Sequence, residues 1–476
     1  MTCERGCSDM KEALVRLSEI KIEGFKNTQY GLVQMPSVLG GTFFSQKSDV
    51  LGIYGQNGSG KTAVIEAMDF IQRLLMGRPL PKDTAYFISK ELNRCTITVT
   101  FVICIQEKQV KAEYAVELRR ISNEEFEITR ESLASALWNG VKFKNKKKLI
   151  CFDFSGGNAP FTPGFRYNDL VGNNEENKIN FGVAKEFAKE NFNSFIFNDR
   201  ARKIFLSAPE DVTEDYAYII RALFQYAGVN LFVISNEHSG GISLNLMLPF
   251  AFRLEMGETI AKGDLPVRLD KPSLISQKRF DMVRQIITEM SIVLGTLIPG
   301  LSIGVYDHGE QLLENGNTGR KIELISKRGD VIIPLKYESE GIIKIISILN
   351  VLMCVYNDPS TCLIIDELDA GIYEYLLGEL LSAFEKSAKG QMIFTSHNLR
   401  ALEMLNKTSI LFSTTNPRNR YMRLQYVKTN NNLRDLYLRS ITLGGQQEEV
   451  YAATDTVEIG RAFRRAGRAV LDGGEN

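Results

Sequence analysis

The octapeptide Gly55-Gln56-Asn57-Gly58-Ser59-Gly60-Lys61-Thr62 fits the spacing G-x-x-x-x-G-K-[ST], which brings backbone N–H groups, an ammonium and a hydroxyl to one phosphate. An apolar run at 51–54 precedes it, and Ala63, Val64, Ile65, Ala67 and Met68 follow as an apolar helix start. A buried strand ending in such a turn aims successive N–H groups at an anion, and the helix beginning there faces the same anion with its positive end. Gly55, Gly58 and Gly60 allow backbone shapes and a close approach that a β-carbon would block, with Asn57 and Ser59 between them. Lys61 would then reach the β- and γ-phosphates, and the Thr62 hydroxyl would ligate Mg²⁺.

Far downstream, the apolar run 361–365 ends in Asp366 and Glu367. Carboxylates are costly at the end of a buried strand unless they bind a metal or a proton. Asp366 is suited to hold Mg²⁺ opposite Thr62, and Glu367 to orient and polarise the water that attacks a γ-phosphate. A third apolar run, 391–395, ends in Ser396-His397-Asn398. His397 would either donate to the γ-phosphate and report its presence, or cap the helix that follows.

These groups act together only if the intervening elements bring them to one edge. Ile372, Leu376, Leu377, Leu380, Leu381 and Phe384 form the apolar face of a helix between the second and third runs. Strand, helix, strand makes a βαβ unit, so the two strands are parallel neighbours with their C-terminal ends on the side of the phosphate loop. Glu338-Ser339-Glu340-Gly341 opens another helix, apolar nearly all round from Ile342 to Leu352 and therefore buried. Its N–H groups could bind an anion, but they lie too far along the sheet from Lys61 to share its nucleotide; one bound by a second subunit is the alternative.

Together these segments resemble the ABC-type ATPase head of the Rad50, RecF and SMC group. The likeness is to its compact prokaryotic branch, which includes ATPase subunits of antiphage systems such as Septu and PARIS and the ATPase half of OLD-type proteins. GQNGSGKT resembles the Walker A motif, LIIDELDAGIY the Walker B and D-loop, TSHN the histidine switch, and ESEGIIKIISIL a degenerate signature helix with one glycine in place of LSGGQ. Lys26 and Asn27, in GFKN, are similar to a family position that approaches the nucleotide. The resemblance covers about 1–75 and 335–430. It implies an α/β P-loop NTPase: an ABC-type head with an antiparallel β subdomain and an inserted, mainly helical lobe. It also implies ATP and Mg²⁺ as cofactors, slow switch-like hydrolysis, and head-to-tail homodimers or higher homo-oligomers in which Ser339 and Gly341 act in trans.

The chain has 476 residues, 44% of them hydrophobic, with 57 basic and 57 acidic side chains, so no global field favours nucleic acid or an anionic membrane. Seven scattered cysteines without a C-x-x-C pair argue against a disulfide framework or structural zinc, and point to a reduced, cytoplasmic setting; Cys3 and Cys7 read as incidental thiols. No apolar stretch of membrane-spanning length stands out. Patterning divides the chain into an N-terminal ATPase half with a β meander (1–155), a mixed, mainly helical insertion (156–300), a C-terminal ATPase half (301–430) and a helical tail (431–476). Lys142, Lys144, Lys146, Lys147 and Lys148 read as a solvated turn or a nucleic-acid contact. Arg461, Arg464, Arg465 and Arg468 lie at helical spacing, suited to a partner, to nucleic acid or to solvent. His238 and His308 are too far apart for an HNH nuclease, and too few residues follow His397 for a Toprim domain. A separate effector, a nuclease, is therefore expected, with a phage-derived trigger; a RecF-like DNA-maintenance ATPase is the alternative.

Overall fold

The computed structural model describes residues 2–3, 13–105, 108–154, 161–172, 174–207, 216–235, 247–256, 259–268, 271–313, 316–424, 432–443, 445–452 and 454–472. Cys7 and His238 lie outside them, as does the side chain of Arg468.

Six strands form the central sheet, in the order Tyr421–Met422, Ile410–Ser413, Asp49–Tyr54, Gln391–Ser396, Cys362–Ile365, Leu231–Ile234. All neighbours are parallel except the outermost Tyr421–Met422. The strands are buried on both faces, which is why they read as unbroken apolar runs. Their side chains alternate between two cores: Leu51, Ile53, Cys362, Ile364 and Ile393 enter one, while Val50, Tyr54, Leu363, Ile365, Met392 and Phe394 enter the other. The βαβ unit is present as expected: Glu374–Ser387 joins Cys362–Ile365 to Gln391–Ser396, and the latter lies between the carboxylate strand and the phosphate-loop strand.

The first core is closed by helix Lys61–Leu75 and by an antiparallel sheet in the order Thr28–Gln34, Leu14–Phe25, Arg94–Ile105, Lys108–Arg120, Phe126–Leu137, Lys147–Asp153. Its strands run longer than the period-2 pattern at 96–131 suggests, and Lys147 and Lys148 open the last strand rather than lying in a turn. Buried Arg16 clamps the two sheets at the edge away from the phosphate loop. Its guanidinium donates to the carbonyls of Pro359, Lys389 and Lys47, and it lies 3.8 Å from Asp49. Beside it, the Gln391 side chain bonds both backbone polar groups of Leu17.

The second core is closed by helices Gln277–Leu297, Glu340–Asn357 and Glu374–Ser387, with a separate antiparallel sheet of Ser273–Ser276, Leu301–Leu312, Thr318–Arg328 and Val331–Pro334. Residues 156–300, read as mainly helical, do contain helices Gly164–Val171, Glu175–Glu190, Asp199–Ser207 and Ala217–Gln225. They also supply the hairpin Met247–Met256/Thr259–Arg268 and, in Leu231–Ile234, the edge strand of the central sheet. The stretch is thus partly woven into the central sheet. Four residues that follow a helix without a break in apolar character leave no period from which to recognise a strand.

Helix Glu340–Asn357 is long and apolar enough by composition to cross a membrane, with mean hydropathy 1.4, although the sequence reading found no such stretch. Here it is a core helix, with Ile343, Ile346, Leu349 and Val351 buried.

Candidate functional site

Gly55, Gly58 and Gly60 all take positive φ, at 154°, 77° and 88°. A β-carbon at Gly55 would stand 2.0 Å from Ser413 Oγ, so this glycine is required by the neighbouring strand as well as by the turn. The loop is pinned from behind. Ser59 Oγ lies 2.5 Å from Ser413 Oγ and donates to Gln56 O, and Ser413 Oγ donates to Tyr54 O. Tyr421 Oη donates to Gly60 O at 2.6 Å. Asn57 and Gly58 remain exposed, whereas the Ser59 side chain is buried in these contacts.

Lys61 is 6% exposed, and its Nζ donates to Gly55 O and Gln56 O at 2.9 and 3.0 Å. Burial pulls its pKa below the ordinary lysine value, while Asp366, Glu367 and Asp369 pull it back up. Residues some three hundred positions apart thus share one local field. Thr62, next in the chain, is half-buried at the first turn of the helix.

Asp366 ends its strand fully enclosed. Oδ1 accepts from Thr395 Oγ1 at 2.5 Å, and Oδ2 is buried with no hydrogen-bond partner among the described residues. An orphaned carboxylate oxygen in a buried position is expensive unless a cation completes it, so this donor set fits a hard divalent ion. Glu367 follows at φ 47°, a left-handed conformation uncommon outside glycine. Its N–H donates to Thr395 Oγ1 at 2.7 Å, and its carbonyl accepts from Lys344 Nζ. His397 leaves the adjacent strand with its N–H donating to Asp369 Oδ2 at 3.0 Å and its ring in part reached by solvent. Partial burial and the Lys61 charge hold its imidazole below the ordinary histidine value, opposed by Asp369, Glu367 and Asp366. The cap that begins the next turn is Asn398, which accepts from Arg400 N.

Lys26 and Asn27 flank the phosphate loop. Asn27 Nδ2 donates to Gly58 O at 2.5 Å, while Lys26 pairs with Glu66 on the loop's own helix and lies 4.6 Å above the Phe87 ring. Ser339 caps its helix through Ile342 N at 3.4 Å and is exposed. Gly341 is buried: a β-carbon there would stand 1.8 Å from Gly371 O, so within one chain this glycine lets the helix meet the acidic loop.

Four participants escaped the sequence reading. Thr395 ties Asp366 to Glu367, and Lys344 reaches the same loop from the supposedly all-apolar helix. Buried Arg420 donates to Asn27 O and Thr414 O, and Asp369 orders the His397 backbone. Thr395 and Asp369 stand inside quoted motifs; Lys344 carries no local signal beyond being a cation in apolar surroundings, and Arg420 none, being one of three arginines in the polar segment 416–423. The basic run 142–148 flanks a cluster of half-buried rings, Phe43, Phe44, Trp138 and Phe143, outside both cores, with Trp138 and Phe143 centroids 4.7 Å apart. Of its five lysines, only Lys146 forms an ion pair among the described residues, with Glu113. Helix Thr456–Asp472 exposes Val457, Ile459 and Phe463 beside Arg461, Arg464 and Arg465.

Residues 50–403 match the model of a family described as AAA domain, putative AbiEii toxin, Type IV TA system. Among solved structures, an SMC head domain from Thermotoga maritima is 14% identical, covering 86% of this chain and 99% of that one, with a TM-score of 0.36. An SMC head bound to the C-winged helix domain of ScpA is 13% identical (86% and 98% covered, TM-score 0.38). The recombination mediator RecF with ATP is 13% identical (81% and 94% covered, TM-score 0.32). No curated protein matches the chain.

Proposed function

Since the chain belongs to the family described as AAA domain, putative AbiEii toxin, Type IV TA system, and is an ATPase of ABC type, we propose that it binds and hydrolyses ATP as a switch. In this reading it is the sensor or scaffold subunit of a bacterial antiphage system, acts in the cytoplasm, and holds or releases a separate effector, a nuclease, in response to a phage-derived trigger. The observation that carries the ATP switch is geometric: the phosphate-loop strand and the carboxylate strand flank Gln391–Ser396 in parallel, so Lys61 and Asp366 meet at one sheet edge, where Asp366 Oδ2 has no hydrogen-bond partner among the described residues.

The phosphate loop would hold the β- and γ-phosphates through its N–H groups and Lys61, with Asn27 against Gly58 fixing the loop. Thr62 and Asp366 would hold Mg²⁺, which when bound neutralises phosphate charge. Glu367 would orient the attacking water and accept its proton, and His397, neutral above its depressed pKa, would donate to the γ-phosphate. Exposed Ser339 suits contact with a nucleotide held by a second copy arranged head to tail. Tagged protein expressed with the product of the adjacent gene should retain that product in an ATP-dependent manner; a wild-type and a Lys61→Ala bait recovering it equally would refute the switch.

One observation favours a second reading, direct nucleic-acid clamping: aromatic rings stand beside a run of lysines of which all but Lys146 form no ion pair among the described residues, a stacking platform in a positive field. Trp138 is the sole tryptophan, so its fluorescence reads this surface alone. Salt-sensitive quenching by oligothymidylate would favour the clamp, and unchanged emission would favour the effector switch.

A further inference from the structure

Lys344 is the one cation on helix Glu340–Asn357, it stands in the run Ile342-Ile343-Lys344-Ile345-Ile346, and it is 7% exposed. Its Nζ donates to the carbonyl of Glu367 and lies in the field of Asp369, Glu367 and Asp366. Burying an ammonium is costly, and here the compensation is one backbone carbonyl and three acids of a single loop. That loop includes a strained point, because Glu367 is non-glycine at φ 47°. Thr395 holds the N–H on one side of Glu367 and Lys344 the carbonyl on the other. The helix itself is anchored at its start, where Gly341 abuts Gly371 and Glu338 takes a two-pronged bond from Arg328 of the separate antiparallel sheet.

We propose that Lys344 is a positioning residue for hydrolysis: it fixes the left-handed backbone of Glu367 so that the carboxylate faces the phosphate edge. Through this bond, any shift of the helix that begins at Ser339 reaches Glu367 within the same chain. A second copy docking on the exposed Ser339 end therefore changes the water-orienting group of the subunit it docks on, as well as contacting its own nucleotide. The inference rests on the reading of Glu367 as the group that orients water.

The test is a double-mutant cycle of Lys344→Met, which keeps the apolar stem, with Glu367→Gln, read by single-turnover hydrolysis and by equilibrium ATP binding. Lys344→Met should slow hydrolysis roughly 10- to 100-fold with ATP affinity changed less than about threefold, because misplacement of a reacting group costs rate rather than binding. The double variant should be no slower than Glu367→Gln alone, since Lys344 acts through Glu367. A merely structural lysine would instead lower affinity in parallel, or multiply the two losses. If Lys344→Met does not fold, Lys344→Gln takes its place in the cycle. Wild-type turnover in the lysine variant beside a normal Glu367→Gln deficit overturns this proposal alone; undiminished turnover in Glu367→Gln overturns both it and the reading beneath it.

Discussion

Replacing Glu367 with glutamine changes one oxygen for nitrogen in a residue held by its main chain. The N–H is fixed by Thr395 Oγ1 and the carbonyl by Lys344 Nζ, so both hydrogen bonds are made by the main chain, and Asp366 and Asp369 still face the ammonium in the variant. The variant should therefore keep the geometry of the edge and lose only the capacity to polarise and deprotonate water. A lost general base costs roughly 10²- to 10⁴-fold, which at about 1.4 kcal/mol per decade raises the barrier by about 3–5.5 kcal/mol. Binding moves the other way. Removing a negative charge from the group that surrounds Lys61 leaves the site less repulsive to a polyphosphate, so ATP affinity should hold or tighten. Single-turnover hydrolysis, paired with equilibrium binding of a fluorescent ATP analogue, separates the two effects. Turnover within about threefold of wild type, or affinity lost together with turnover, would refute the reasoning.

Arg16→Met should destabilise the nucleotide-free protein by about 3–5 kcal/mol, because it removes a buried charge that serves three carbonyls and sits beside the buried Asp49. Urea unfolding followed by circular dichroism measures it, and a loss below about 1 kcal/mol would contradict the clamp. Burial and the Lys61 charge both disfavour the His397 imidazolium, so its titration in the nucleotide-free protein should have a midpoint below 6.5, the ring being neutral above it. In Lys61→Met one depressing cause is gone and the midpoint should rise; proton NMR of this three-histidine chain follows it, and an unmoved midpoint would place the ring outside the lysine's field.

The site was readable where chemistry requires contiguous residues. The phosphate loop, the twin acids and His397 each sit at the end of an apolar run, and buried parallel strands print such runs directly into sequence. The βαβ connection then fixed which edge they share. Supporting residues were less visible because their reasons lie across space. Lys344 sits between Ile343 and Ile345, and only the facing acids explain it. Arg420, just before a two-residue strand, and Tyr421, its first residue, act on Asn27 and Gly60, 393 and 361 positions away. Leu231–Ile234 has no period of its own at four residues, and its place beside Cys362–Ile365 is set by burial of the central sheet's last edge. Gly341 was readable as a helix-opening glycine, but its close approach to Gly371 required the fold.

The central claim is that Thr62, at the start of helix Lys61–Leu75, and Asp366, just past strand Cys362–Ile365, hold one metal ion with its nucleotide. Equilibrium Mg-ATP affinities of the wild type, Thr62→Ala, Asp366→Asn and the double variant test it most directly. Two ligands of the same ion should be strongly non-additive, with the double variant binding hardly more weakly than the worse single one. Losses that simply sum would mean that the two side chains serve separate sites, and the account would fail.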